Sequence, residues 1–155
     1  MSHVVTSPII ITNLEALKRA LKKFPKLKFI EGAKRYHWYG KWMQDYSQAD
    51  AAYKLGISPD QYGKCDHKLH MDGVTYEAGL TPRKDGKGWS LVWDFFSDGE
   101  RISQYIGNGA EHLVTEYNRQ VMLMQAEALE QEGKTTDVYQ HETDDELLVE
   151  ITVNA

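Results

Sequence analysis

Cysteine, proline and long apolar runs are all scarce in this chain, and each shortage removes a class of protein. Cys65 is the single cysteine among 155 residues. No disulfide can therefore close within the chain, and a reducing cytoplasm is the expected location. No apolar run approaches the roughly 18–20 residues that span a bilayer. The opening MSHVVTSPIII has no basic region, no long apolar stretch and no small-residue cleavage site, so no signal peptide and no membrane partner are expected. No glycine loop of the kinds that cradle phosphate is present. The four prolines, Pro8, Pro25, Pro59 and Pro82, fall where strands or helices are expected to start or stop.

Basic residues are scarce in one part only. Residues 97–155 hold three Lys/Arg against thirteen Asp/Glu, net −10, whereas residues 1–54 hold ten against four, net +6. The middle, 55–96, is nearly balanced at −1. Polarity of this kind marks either two surfaces with different partners or solvated helix faces. Hydrophobic residues at 41% and charged residues at 26% are ordinary globular values, and the length suits one domain, residues 1–155.

The clearest pattern is residues 73–96, GVTYEAGLTPRKDGKGWSLVWDFF. Val74, Tyr76, Ala78 and Leu80 alternate on one side of a turn, and Trp89, Leu91, Trp93 and Phe95 on the other. Period-2 alternation around Asp85-Gly86 predicts a central antiparallel hairpin with tryptophans in the core. Before it, residues 4–11 read as a strand, and Thr12-Asn13-Leu14-Glu15 as a capping box with Thr12 accepting from the Glu15 amide. A helix follows with Leu14, Leu17, Leu21 and Phe24 on one stripe, and Pro25 ends it. Short strands are expected at 27–31 and 34–39, a short helix within 49–55, a single turn at Ser58-Pro59-Asp60, and a strand over 64–71. That last strand would place Cys65, His67, Leu69 and Met71 on one face. A long helix is expected from about 110 to 132, then strands near 135–141 and 147–153 with Leu147, Val149, Ile151 and Val153 inward. Two helices over a mostly antiparallel sheet make an α+β fold. The expected form is a ferredoxin-like core with extra strands and an insertion near 41–63.

Several short stretches carry a likeness. They are Met1-Ser2-His3, Leu14-Glu15-Ala16-Leu17-Lys18-Arg19-Ala20-Leu21, Tyr62-Gly63-Lys64-Cys65-Asp66-His67, Tyr76-Glu77-Ala78-Gly79 and Leu91-Val92-Trp93-Asp94-Phe95-Phe96. In this order, and with the closing helix and strand pair, the chain resembles a family of unknown function found in cyanobacteria, red-algal plastids and phages. On the plastid side it is known as a hypothetical chloroplast reading-frame protein. The details look most like phage members, and 41–63 departs from the shorter plastid pattern. The resemblance implies no catalytic residues. It implies an accessory role, one form of which is an adaptor for a MoxR-type AAA+ ATPase.

Three candidate sites follow from the residues. The first is the basic-aromatic segment 34–42: Lys34, Arg35, His37, Tyr39, Lys41 and Trp42 would bind a nucleotide or nucleic acid, or a host protein that handles one, with cations neutralising phosphate and aromatics stacking on bases. Its bland counterpart is that Tyr36 and Trp38 are core and the lysines a solvated rim. The second is the acidic turn Asp144, Asp145 and Glu146, which would dock a basic partner: a host or phage protein, or another copy of the chain in a homo-oligomer. The third is Cys65 with His67, a lesser zinc or cysteine-nucleophile alternative. A structural zinc site needs four ligands, and His37, His112 and His141 are scattered, so the expectation is no cofactor and no enzyme activity.

Overall fold

A computed structural model of the chain describes residues 9–38, 56–57, 59–61, 63–94, 97–142 and 147–154. Five strands form one sheet: β1 (Ile10–Ile11), β2 (Leu27–Glu31), β3 (His67–Met71), β4 (Ala78–Pro82) and β5 (Trp89–Val92). Their order is β1-β5-β4-β3-β2, and every neighbouring pair is antiparallel. β1 and β2 therefore run in the same direction at opposite edges, and α1 (Leu14–Ala20) carries the chain from one to the other. Two more helices follow the sheet, α2 (Glu100–Ile106) and α3 (Glu111–Gln131). The fold is α+β, as the patterns predict. The ferredoxin-like arrangement is not seen in this order. That fold places two strand–helix–strand passages in one sheet, whereas β6 (Thr135–Glu142) and β7 (Leu147–Asn154) pair with each other as a separate ribbon.

The sheet has a helix face and a second face. On the helix face lie Ile11, Leu27, Leu69, Met71, Ala78, Leu80, Leu91 and Trp93, packed with Leu17 of α1, Ile102 and Ile106 of α2 and Leu113 of α3. Each strand contributes alternate residues, as a pleated backbone requires. Trp93 is fully buried, and its Nε1 donates to Ser103 Oγ at 2.9 Å, so the indole is apolar in contact and satisfied at its one donor. The second expected core tryptophan, Trp89, is only half-buried at the margin of this core. At the end of the hairpin loop Gly88, at φ +83°, lies directly against the Ile11 carbonyl, where no side chain would fit.

Several local expectations are corrected. The cap of α1 is Asn13, not Thr12: the Asn13 side chain accepts from the Ala16 amide at 3.1 Å. The amides of Thr12 and Asn13 are taken instead by the hydroxyl of Tyr117, at 3.0 and 3.1 Å, which ties α3 to the start of α1. α2 was not anticipated, because Ser97-Asp98-Gly99 reads as a hairpin end and the helix has seven residues. Its signal is Ile102, Tyr105 and Ile106 at helical spacing. Residues 34–38 form no strand; only Arg35 makes a bridge, to Lys64. β3 begins at His67 rather than at 64. In the final ribbon Val153 is not inward but 45% exposed. Residues 1–8, the helix expected within 49–55 and most of the 41–63 insertion lie outside the described residues, as does Phe95. Among the described residues no helix is long and apolar enough to cross a membrane.

Candidate functional site: a basic strap over the second sheet face

The second face carries Gly79 and Thr81 of β4, Ser90 and Val92 of β5, and Lys68 and His70 of β3, the residues that alternate with the core set. Residues 33–38 lie over part of it as a strap. Tyr36 is 3% exposed and packs with Ile57, Cys65 and Val92, with Ala33 and Trp38 at the margin. Its ring sits directly on Gly79, in the space a Cβ would fill. Trp38 lies in the same way on Gly63.

Backbone hydrogen bonds fix the strap on both sides. The Tyr36 amide donates to the Gly63 carbonyl at 3.1 Å, and the Cys65 amide to the Lys34 carbonyl at 3.1 Å. The Glu77 amide donates to the His37 carbonyl at 2.9 Å, and the His37 amide returns to Glu77 Oε1 at 3.0 Å. With Tyr36 turned in, Lys34, Arg35 and His37 are exposed. Within this segment Tyr36 is core, Trp38 is half-buried and the basic neighbours are at the surface. Tyr39, Lys41 and Trp42 lie outside the described residues, as do Asp144, Asp145 and Glu146.

Beneath the strap is a carboxylate that the sequence reading did not single out. Glu77 is 5% exposed. Its Oε1 also accepts from Lys68 Nζ at 3.0 Å, and its Oε2 lies 3.0 Å from His70 Nδ1. Burial pushes this carboxyl up, but the His37 amide, the Lys68 ammonium and His70 outweigh it and hold it below the usual range. The signal available in the sequence was positional: Glu77 falls on the face opposite Ala78, across the Asp72-Gly73 turn from His70.

Cys65 and His67 do not share a face. Cys65 packs in the second-face cluster and its Sγ donates to the Ala33 carbonyl at 3.6 Å. His67 stands on the helix side, between Phe29 at 5.5 Å and Trp89 at 5.4 Å between ring centres, and its Nδ1 accepts the Gly32 amide at 3.0 Å. The reason is a bend at Asp66, whose carboxylate accepts Trp89 Nε1 at 2.9 Å, so the alternation is broken before β3 starts. Burial pushes the Cys65 thiol up to about 11, which keeps it protonated and a poor nucleophile. Among the described residues no three His, Cys, Asp or Glu side chains gather as a metal site.

The basic residues around α1 are largely neutralised. Lys18 pairs with Glu31 at 3.6 Å, Arg19 with Glu127 at 3.0 Å, Lys23 with Glu116 at 3.0 Å and Lys28 with Asp72 at 3.1 Å. The groove of about 600 Å³ between α1 and α3 mixes these cations with Glu15, Glu116 and Glu127. Lys34, Arg35 and His37 of the strap, by contrast, are exposed. Compared with protein-family models, with curated proteins and with solved structures, the chain finds no match.

Proposed function

We propose that this is a non-enzymatic accessory protein, phage-encoded as its sequence likeness suggests, that binds a nucleotide or nucleic acid through the basic strap. The observation that carries the reading is the division of labour within 34–38. Tyr36 is spent on anchoring, and the backbone is held at four points, so Lys34, Arg35 and His37 project from a fixed ribbon. Cations held in place lose less conformational freedom on meeting a phosphate chain than cations on a loose loop do. Tyr39, Lys41 and Trp42 would extend the surface along the chain. The adaptor reading through Asp144, Asp145 and Glu146 rests on residues outside those described, and no geometry favours it.

The test is fluorescence anisotropy of a labelled single-stranded oligonucleotide at several salt concentrations. Affinity should fall with salt, with a log–log slope of about −0.7 for each phosphate neutralised. The Lys34→Ala/Arg35→Ala variant should flatten that slope by about 1.4, two contacts' worth. Absence of binding at low salt, or binding that ignores both salt and this variant, would sink the proposal.

A further inference from the structure

We infer that Lys68 and His70, mounted on the buried Glu77 carboxylate, form a phosphate-recognising site beside the strap. The inference rests on the reading above and names the chemical group that the surface would hold. Three observations lead to it.

First, the two side chains are oriented, not floppy. Each is tied to its own oxygen of one buried carboxylate at 3.0 Å, and that carboxylate is itself pinned by the His37 amide. A carboxylate held below its usual range stays ionised and only accepts, so His70 Nδ1 carries the proton that it shares with Glu77. The imidazole Nε2 is therefore turned away from Glu77, and the Lys68 ammonium keeps two further protons to donate. Second, these groups reach the surface while the carboxylate does not. The side chains of Lys68 and His70 are 20% and 34% exposed, against 6% for Glu77. An approaching anion meets donors first, and the negative charge beneath is already saturated by three of them. Third, the site is continuous with its surroundings. Lys28 of β2 stands directly across from His70, and exposed Ile30 across from Lys68. His37 of the strap is bonded to Glu77 through its backbone in both directions.

The titratable groups around His70 are Glu77, to which it is bonded, Lys68 on the same carboxylate, and Lys28 of the neighbouring strand with its partner Asp72. Lys68 donates as it stands, and His70 adds a second donor at Nε2 when the ring is doubly protonated, so that the pair can then take two oxygens of one phosphate. The source of the phosphate is either a phosphodiester chain or a free mononucleotide.

The experiment measures three probes against the full chain: a labelled single-stranded oligonucleotide, a nucleoside monophosphate, and the same nucleoside without phosphate. The variants are Lys68→Gln/His70→Gln, His70→Gln alone, and Lys34→Ala/Arg35→Ala. Glutamine at 70 keeps a donor for Glu77 but has no second ring nitrogen, so it tests recognition with little risk to folding. Loss of oligonucleotide affinity by about tenfold in the double variant, and by a smaller factor in His70→Gln, is the expected result for a phosphodiester source. The same losses for the monophosphate identify a free nucleotide. Nucleoside binding that matches monophosphate binding overturns the site, as does equal affinity of the wild type and His70→Gln for every phosphate-bearing probe. If the strap variant weakens oligonucleotide binding and the β3 variants do not, the site falls and the proposed function stands. If no phosphate-bearing probe binds, both fall.

Discussion

Replacing Gly79 by alanine adds one methyl group and removes no charge and no hydrogen bond, yet it should act on the whole strap. Gly79 lies in β4 with an ordinary extended backbone, so alanine is not strained there by conformation. The nearest conflict is with the Tyr36 ring, which already occupies the Cβ position. Tyr36 is 3% exposed. A buried tyrosine removes about 150–250 Å² from water, worth about 4–6 kcal/mol as an upper bound at 25 cal/mol per Å². Overpacking a ring against one extra methyl costs about 1–3 kcal/mol. The smaller cost sets the outcome, so Gly79→Ala should lower unfolding free energy by about 1–3 kcal/mol, with the strap shifted but not released. Urea unfolding gives the number, and the double-mutant cycle with Tyr36→Ala gives the cause. Once the ring is gone the methyl has space, and Gly79→Ala should then be neutral or slightly stabilising. A coupling below about 0.5 kcal/mol would mean that the two residues are independent, and the seat described for the strap would be wrong.

Glu77→Gln should change the acid limb of stability. A carboxyl held low in the folded state stabilises the fold above its unfolded pKa, near 4, and loses that contribution as pH falls through the lower folded value. The wild type should therefore lose stability more steeply than Glu77→Gln as pH falls below about 4, while being more stable by about 1–3 kcal/mol near neutrality; parallel curves would contradict this. Cys65, with its thiol pushed up to about 11 by burial, should alkylate slowly in the native protein and fast in denaturant. Equal rates at about pH 8 would show the thiol to be open. Tyr117→Phe leaves the Thr12 and Asn13 amides without their shared acceptor, and should cost about 1–2 kcal/mol in thermal or urea unfolding. A neutral result would mean that water takes over both amides.

What the sequence made legible was whatever alternation controls. Trp89, Leu91 and Trp93 share a face because the strand has period two, and Leu113 and Tyr117 fall on the buried stripe of α3 because the helix has period 3.6. What it hid was whatever depends on a contact distant along the chain. Residues 34–38 have the composition of a strand, but their hydrogen bonds run to Gly63, Cys65 and Glu77 in pieces, so no ladder forms. Thr12 looks like a cap until Tyr117, from a helix near the other end of the chain, takes its amide. Cys65 and His67 are two apart and would share a face in any straight strand; the bend at Asp66 is set by Trp89 across the sheet. Lys34, Arg35 and His37 stand out as candidates in the sequence because cations beside aromatics are a compositional signal. Glu77, Lys68 and His70 were not, because a buried carboxylate is recognised by its partners and these come together only when β3 and β4 pair.

The place of β1 at the far edge has a consequence for how the chain acquires its structure. β1 comes before the other four strands in the chain, yet its partner is β5, Ile10 opposite Ser90, on the other side of β2, β3 and β4 in sequence. β3, β4 and β5 follow one another through short loops, whereas the β1 pairing closes the largest loop in the sheet and is the slowest to be repaid. On an emerging chain the N-terminal strand must wait, apolar and unpaired, until residue 90 has left the ribosome. Pulse-labelling hydrogen exchange should accordingly find the β3 and β4 amides protected before that of Ile11. If Ile11 is protected first or together with them, β1 has docked on something other than its final partner.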